Sequence, residues 1–190
     1  MHGRANLSQG TQIVLEALRL AKKQVPSLKC IMFDSFAEGI DTNNANEFKK
    51  TVSDLGVTEI VDLRKGVPMQ AMPAILQGCD AGLIAYGRKL GADSLPNRLF
   101  EYMAVGLPVI APVYSPEINR ILQTEKCGIA VDFENPASVA EAIIHLSQEA
   151  QECREMGQRA RQAFLKRYNW EVEVQPVIER IRSWYDICNQ

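Results

Sequence analysis

The chain has little of what metal and redox sites are built from. It carries two histidines, His2 and His145, in 190 residues, and neither sits in an HExxH pattern. Nothing in the spacing suggests a metal. The five cysteines, at 30, 79, 127, 153 and 188, are odd in number and never closely paired. That argues against a disulfide framework and against zinc, and leaves reduced, mostly buried thiols as the expectation. No apolar run approaches the roughly 20 residues that span a bilayer, and the polar start MHGRANLSQG lacks the core of a signal peptide. A cytoplasmic location is expected. The formal charge of −2 and pI near 5.8 provide no global basic field, so nucleic acid is not an expected partner and any anion site must be local. Glycine-rich phosphate loops of the GxGxxG and GxxxxGKS/T kinds are missing, and there is no repeat, low-complexity tract or evident linker.

What is present is a regular alternation of helix and strand signals, which predicts an α/β fold: a doubly wound, Rossmann-like parallel sheet covered by helices, with a helical C-terminal tail. TQIVLEALRLAKK (11–23) places Ile13, Ala17, Leu20 and Ala21 on one helix face with Leu18 beside it. Strands are expected at LKCIMFD (28–34), EIVDL (59–63), AGLIA (81–85), LPVIAP (107–112) and GIAVDF (128–133). Between them fall a helix over 44–57 closed by Gly56, a short helix over 69–79 despite Pro73, a long turn to Pro96, and a helix over 116–124 begun by proline. From Asn135 onward the pattern is all helix.

The stretch DSLPNRLFEYMAVGLPVIAP (93–112) concentrates the chemistry. A phosphate site needs backbone N–H donors, a helix N-terminus and usually a cation. Ser94, Leu95 and Asn97 supply N–H groups near the helix start, Pro96 fits a first turn, and Arg98 offers a planar fork for paired phosphate oxygens. Glu101 interrupts an apolar helix that must pack on the sheet. A carboxylate there is costly unless hydrogen-bonded, and a ribose diol is a suitable pair of donors; a backbone amide, Arg98 or plain exposure is the alternative. Ligands of open α/β sheets bind beyond the carboxyl ends of strands, and this turn follows AGLIA.

SLPNRLFEYMAVGLPVIAP (94–112) resembles the donor-binding signature of the retaining GT-B glycosyltransferases of the glycosyl transferases group 1 family. GRANLSQGTQIVLEALRLA (3–21) resembles the opening of that family's second, donor-binding domain, VDLRKGVPMQAMPAILQGCD (61–80) its nucleobase loop and following helix, and CGIAVDFENPASVAEAI (127–143) its ending. The resemblance covers roughly residues 3–170 in order.

It implies specific roles. Gly3 and Arg4 match the family's Gly-Arg, with Arg4 meeting the donor diphosphate. Gln9 stands where a lysine is usual, so one diphosphate charge is absent. Gly66 and Val67 would face the base, near Arg64 and Lys65; Ser94, Leu95, Asn97 and Arg98 would cover the phosphates; Glu101 would hold the ribose. Asp93, eight positions before Glu101, replaces the first glutamate of the family's pair and is one methylene shorter. Pro96 replaces the usual glycine, a familiar variant of this loop, and Arg98 would compensate for the lysine missing at Gln9. Arg4, Asp93 and Arg98 are thus the candidate catalytic residues, with no metal and no cofactor besides the nucleoside-diphosphate sugar itself.

The resemblance also implies domain organisation: residues 1–170 as the nucleotide-sugar-binding domain lacking most of its first strand, and 171–190 as a C-terminal helix packing back on it or on a missing acceptor domain. The expected function is therefore the donor half of a hexosyltransferase that moves sugar from a UDP- or GDP-sugar, with retention, to a glycan or glycolipid in polysaccharide assembly. Activity would need an acceptor domain or partner chain. The alternatives are a non-catalytic nucleotide-sugar or protein-binding module, and a fragment of a GT-B-like sugar-nucleotide epimerase. Arg159, Arg161, Lys166 and Arg167 form either a solvated helix face, the commoner meaning of such a run, or a peripheral contact with the inner face of an anionic membrane. Sheet edges left by a missing strand would also permit a homo-oligomer.

Overall fold

The computed structural model describes residues 9–34 and 42–188. Helix α1 (Gln9–Ala21) leads to β1 (Cys30–Asp34), α2 (Thr42–Asp54) and β2 (Val61–Lys65). A single 3₁₀ turn (Met69–Ala71) opens α3 (Met72–Leu76), followed by β3 (Gly82–Leu83), α4 (Arg88–Gly91), α5 (Asn97–Val105) and β4 (Val109–Pro112). Then come α6 (Pro116–Glu125), β5 (Gly128–Val131), α7 (Pro136–Gln148), α8 (Ala150–Lys166), α9 (Trp170–Glu173) and α10 (Gln175–Cys188).

All strand pairings among the described residues are parallel: β1 with β2, and β3, β4 and β5 in that order. Because successive strand residues point to opposite faces, neighbouring residues divide between two apolar layers. Met32, Leu83 and Ile110 join one cluster with α1, α2 and α7; Phe33, Ile84, Val109 and Ala111 join the other with α3, α5 and α6. Each cluster draws on both sheets, so helices cover the strands on both sides, the three-layer arrangement of parallel sheets.

Several element bounds differ from expectation, with β1 starting at Cys30, β3 reduced to Gly82–Leu83, β4 starting at Val109 and β5 ending at Val131, and three further differences have a specific cause. The buried stripe of α1 centres on Val14, Leu15, Ala17, Leu18 and Ala21, with Ile13 and Leu20 only partly buried, because α7 packs along the helix as well. The second strand starts at Val61 rather than Glu59, because the Ile60 and Val61 amides both bond the Val57 carbonyl and plug Val57 and Ile60 into the core first. The long turn before Pro96 contains α4. Pro73 does not interrupt the short helix, since it lies in the first turn of α3 where its missing N–H costs nothing.

Helix α5 is fixed at both ends. Leu99, Tyr102 and Met103 are buried on one face, and full burial of such side chains is worth about 1.5–3 kcal/mol each. Gly106, at φ +80°, ends the helix: its amide bonds Met103 O, and Leu107 N bonds Tyr102 O at 3.0 Å. The Tyr102 ring fills the space a Gly82 side chain would need, and its hydroxyl donates to Leu83 O at 3.3 Å. One tyrosine thereby sets the height of α5 on β3.

Among the described residues no helix is long and apolar enough to cross a membrane. Trp184 is 58% and Tyr185 70% exposed on α10.

Candidate functional site

Setting α5 on β3 places the start of α5 beside the carboxyl end of that strand. Pro96 is the N-cap and offers no side-chain oxygen, while Leu99 N bonds back to Pro96 O at 3.1 Å. The amides of Asn97 and Arg98 are therefore the first-turn donors, rather than those of Ser94 and Leu95, which precede the helix. Helix α1 arrives at the same strand end. A methyl group on Gly10 would lie 2.5 Å from the Ala85 carbonyl oxygen and 3.2 Å from Tyr86 N, so only glycine permits this approach. Two helix N-termini, each carrying partial positive charge, converge at Ala85 and Tyr86.

Arg98 is half-buried, and its guanidinium carbon lies 5.4 Å from the centre of the Tyr86 ring. Glu101 follows one turn further along, half-buried, with Oε2 shut off from solvent. Asp93 and Asn97 are exposed, as is Leu95. Ser94 O accepts a hydrogen bond from Ser115 Oγ at 3.1 Å.

The turn after β2 opens toward the same layer. Val67 packs on the cluster that includes Ile84 and Leu99, and Gly66 is exposed beside it. Arg64 is engaged within its own strand: Asp62 and Arg64 share a face and pair through Nη2 and Oδ2 at 2.6 Å. Gln9 is the first residue of α1. Gly3 and Arg4 lie outside the described residues. The structure thus brings the start of α1 and the head of α5 to the end of β3, and seats Val67 in the apolar layer that also holds Leu99.

Sequence reasoning missed the residues that shape this end. Tyr114 OH donates to Tyr86 O at 2.5 Å, and the Arg88 guanidinium stacks 4.8 Å from the Tyr114 ring centre while pairing with Glu134 at 3.3 Å. Burial, together with Glu134 and Asp132, pushes the Tyr114 hydroxyl up to about 12, so it remains a donor at neutral pH. No local pattern signals these contacts, which join residues far apart in the chain, 28 positions for Tyr114 and Tyr86.

Other candidate groups fall elsewhere. His145 is exposed and its Nε2 lies 3.0 Å from Glu152. Cys30, Cys79, Cys127 and Cys153 are free thiols, all raised by burial, Cys127 to about 11. Concavities of about 390 Å³ beside β5 and about 370 Å³ around Lys126 include no residue of the 93–101 segment. Strand topology, not depth, locates the site.

Parallel strands between two helix layers, with two helix N-termini meeting at a strand end, define a Rossmann-like domain. The chain belongs to the glycosyl transferases group 1 family, whose model matches residues 1–163. No curated protein matches it in sequence. Among solved structures, Anabaena HepE in complex with UDP aligns with a TM-score of 0.80 at 17% identity, over 96% of this chain and 48% of that one. Sucrose-phosphate synthase from Thermosynechococcus elongatus aligns at 0.77 and 17% identity, over 98% and 45%. The C-terminal domain of LpcC, a group 1 glycosyl transferase of Francisella tularensis, aligns at 0.71 and 18% identity, over 89% and 83%. The chain thus spans under half the length of the first two and most of the isolated C-terminal domain.

Proposed function

We propose that this chain is the donor-binding half of a retaining glycosyltransferase that takes a nucleoside-diphosphate sugar, UDP- or GDP-linked, and passes the sugar to a glycan or glycolipid. The observation that carries this reading is the convergence of the α1 and α5 N-termini at Ala85 and Tyr86, with Arg98 and Glu101 on the same turns of α5. Backbone amides and an arginine suit a diphosphate, and a half-buried carboxylate one turn away suits a ribose diol. Membership of the group 1 family and the fold shared with a UDP-bound neighbour support it.

In this reading Arg4 and Arg98 stabilise the diphosphate as charge develops on departure, in the manner of a preorganised cationic clamp, without a metal or other cofactor. Amides of Asn97 and Arg98 add dipoles from α5. Ser94 and Leu95 line the phosphates, and Asp93 faces the sugar. Glu101 holds the ribose, Gly66 and Val67 meet the base, and Gly3 and Gln9 flank the diphosphate. Residues 1–170 form the donor domain, and 171–190 serve contact with an acceptor domain. The acceptor would come from a further domain or chain, since the relatives are twice as long. Arg159, Arg161, Lys166 and Arg167, in and just after α8, are the groups such a protein would turn toward an anionic membrane.

Calorimetric titration with UDP and GDP, with and without magnesium, tests the reading. Metal-independent binding of one diphosphate in preference to the other is expected; binding of neither contradicts it.

A further inference from the structure

We propose that Tyr114 and Ser115, in the turn leaving β4, are positioning residues that hold the donor loop in the shape that receives a diphosphate. The inference rests on the donor-site reading and extends it to residues that touch no ligand.

Three contacts run from this turn to the loop. Tyr114 OH donates to Tyr86 O at 2.5 Å, where the loop leaves β3. The Tyr114 ring supports α4 in the middle of the loop: a side chain on Gly91 would lie 2.8 Å from Tyr114 Cε2, and Arg88 stacks on the ring. Ser115 Oγ donates to Ser94 O at 3.1 Å, just before α5. Start, middle and end of the segment 86–94 are all tied to two consecutive residues of another strand's turn.

Ser115 makes this contact at a local cost. It is the N-cap of α6, the position where serine normally accepts a hydrogen bond from the helix's own first-turn amides, yet its side chain makes no such bond. Its residue is 1% exposed, so the hydroxyl has been buried to reach Ser94 O instead. Tyr114 acts further still: by fixing the Tyr86 backbone it fixes the ring on which the Arg98 guanidinium lies. A phosphate-facing arginine and the amides of α5 are thereby held in place by groups outside the site, which lowers the ordering cost of binding.

The test is titration of UDP and UMP, and of GDP and GMP, into the chain and into Tyr114→Phe and Ser115→Ala, with thermal unfolding of each protein. Each variant deletes one hydrogen bond, so affinity for the preferred diphosphate should fall roughly 3- to 10-fold. Affinity for the matching monophosphate should change by less than twofold, because the base and ribose contacts are elsewhere. The diphosphate-to-monophosphate ratio is the readout that a merely structural role would not move. An unchanged ratio in both variants, with the parent chain binding diphosphate, overturns this inference alone. Failure of the parent chain to bind any of the four nucleotides overturns the donor-site reading and this inference with it.

Discussion

The guanidinium of Arg98 lies 5.4 Å from the centre of the Tyr86 ring, so the cation at the head of α5 is stacked on a residue just past the end of β3. A cation held this way is aimed before any ligand arrives. Its planar fork also suits two phosphate oxygens at once, which an ammonium does not.

Replacing Arg98 should therefore separate charge from geometry. Arg98→Ala is expected to weaken nucleoside-diphosphate binding by about tenfold or more, the range for losing charged hydrogen bonds. Arg98→Lys should recover only part of that. Unfolding temperatures should differ little, since a cation–π contact at a half-buried site is worth on the order of 1 kcal/mol. Equal affinity of all three proteins in calorimetry would remove Arg98 from the site.

Gly157 lies mid-helix in α8, where alanine would ordinarily stabilise by about 0.5–1 kcal/mol. Here a side chain would run into the Gly106 carbonyl at the end of α5. Overpacking against backbone costs about 1–3 kcal/mol, so the clash wins. Gly157→Ala should lower the melting temperature by several degrees, at about 2–4 °C per kcal/mol for a chain of this size. A raised melting temperature would mean that α8 is free to move off α5.

Tyr114 predicts an alkaline weakness. Its folded hydroxyl is pushed up to about 12 by burial and by Glu134 and Asp132, with Arg88 opposing, against an ordinary value of 10. Between those values the unfolded chain has released the proton and the folded chain has kept it, so stability falls as pH rises. Below pH 10 the contribution is fully present; above 12 it is gone. Denaturant unfolding from pH 9 to 12 should show the parent chain losing stability relative to Tyr114→Phe across that window. Parallel curves would place the phenol in an ordinary environment.

Much of this architecture is legible in the sequence because it depends on local patterns. Leu99, Tyr102 and Met103 recur at helical spacing, Gly106 stops α5, Pro116 starts α6, and Val109–Pro112 within the Leu-Pro-Val-Ile-Ala-Pro run is an apolar strand buried on both faces. Asn97, Arg98 and Glu101 stand out as polar groups beside that pattern. What is not legible depends on distant partners. Four residues of α4 are too few for periodicity to register. The width of the α1 stripe is decided by α7, more than a hundred residues later. Arg64 reads as a free cation until the strand places it beside Asp62. Tyr114 and Ser115 carry no motif, and their bonds to Tyr86 and Ser94 exist only because β3 and β4 are neighbours.

The central claim is that α5 presents a nucleotide site with Glu101 on the ribose, and a double comparison tests it most directly. UDP and GDP, and their 2′,3′-dideoxy counterparts, would be titrated into the parent chain and into Glu101→Ala. If the carboxylate accepts from the ribose hydroxyls, the parent chain should prefer the natural diphosphate by roughly tenfold or more, as expected for charged hydrogen bonds, and Glu101→Ala should lose that preference. A preference that survives intact in Glu101→Ala, or a parent chain that does not distinguish ribose from dideoxyribose, would contradict the account.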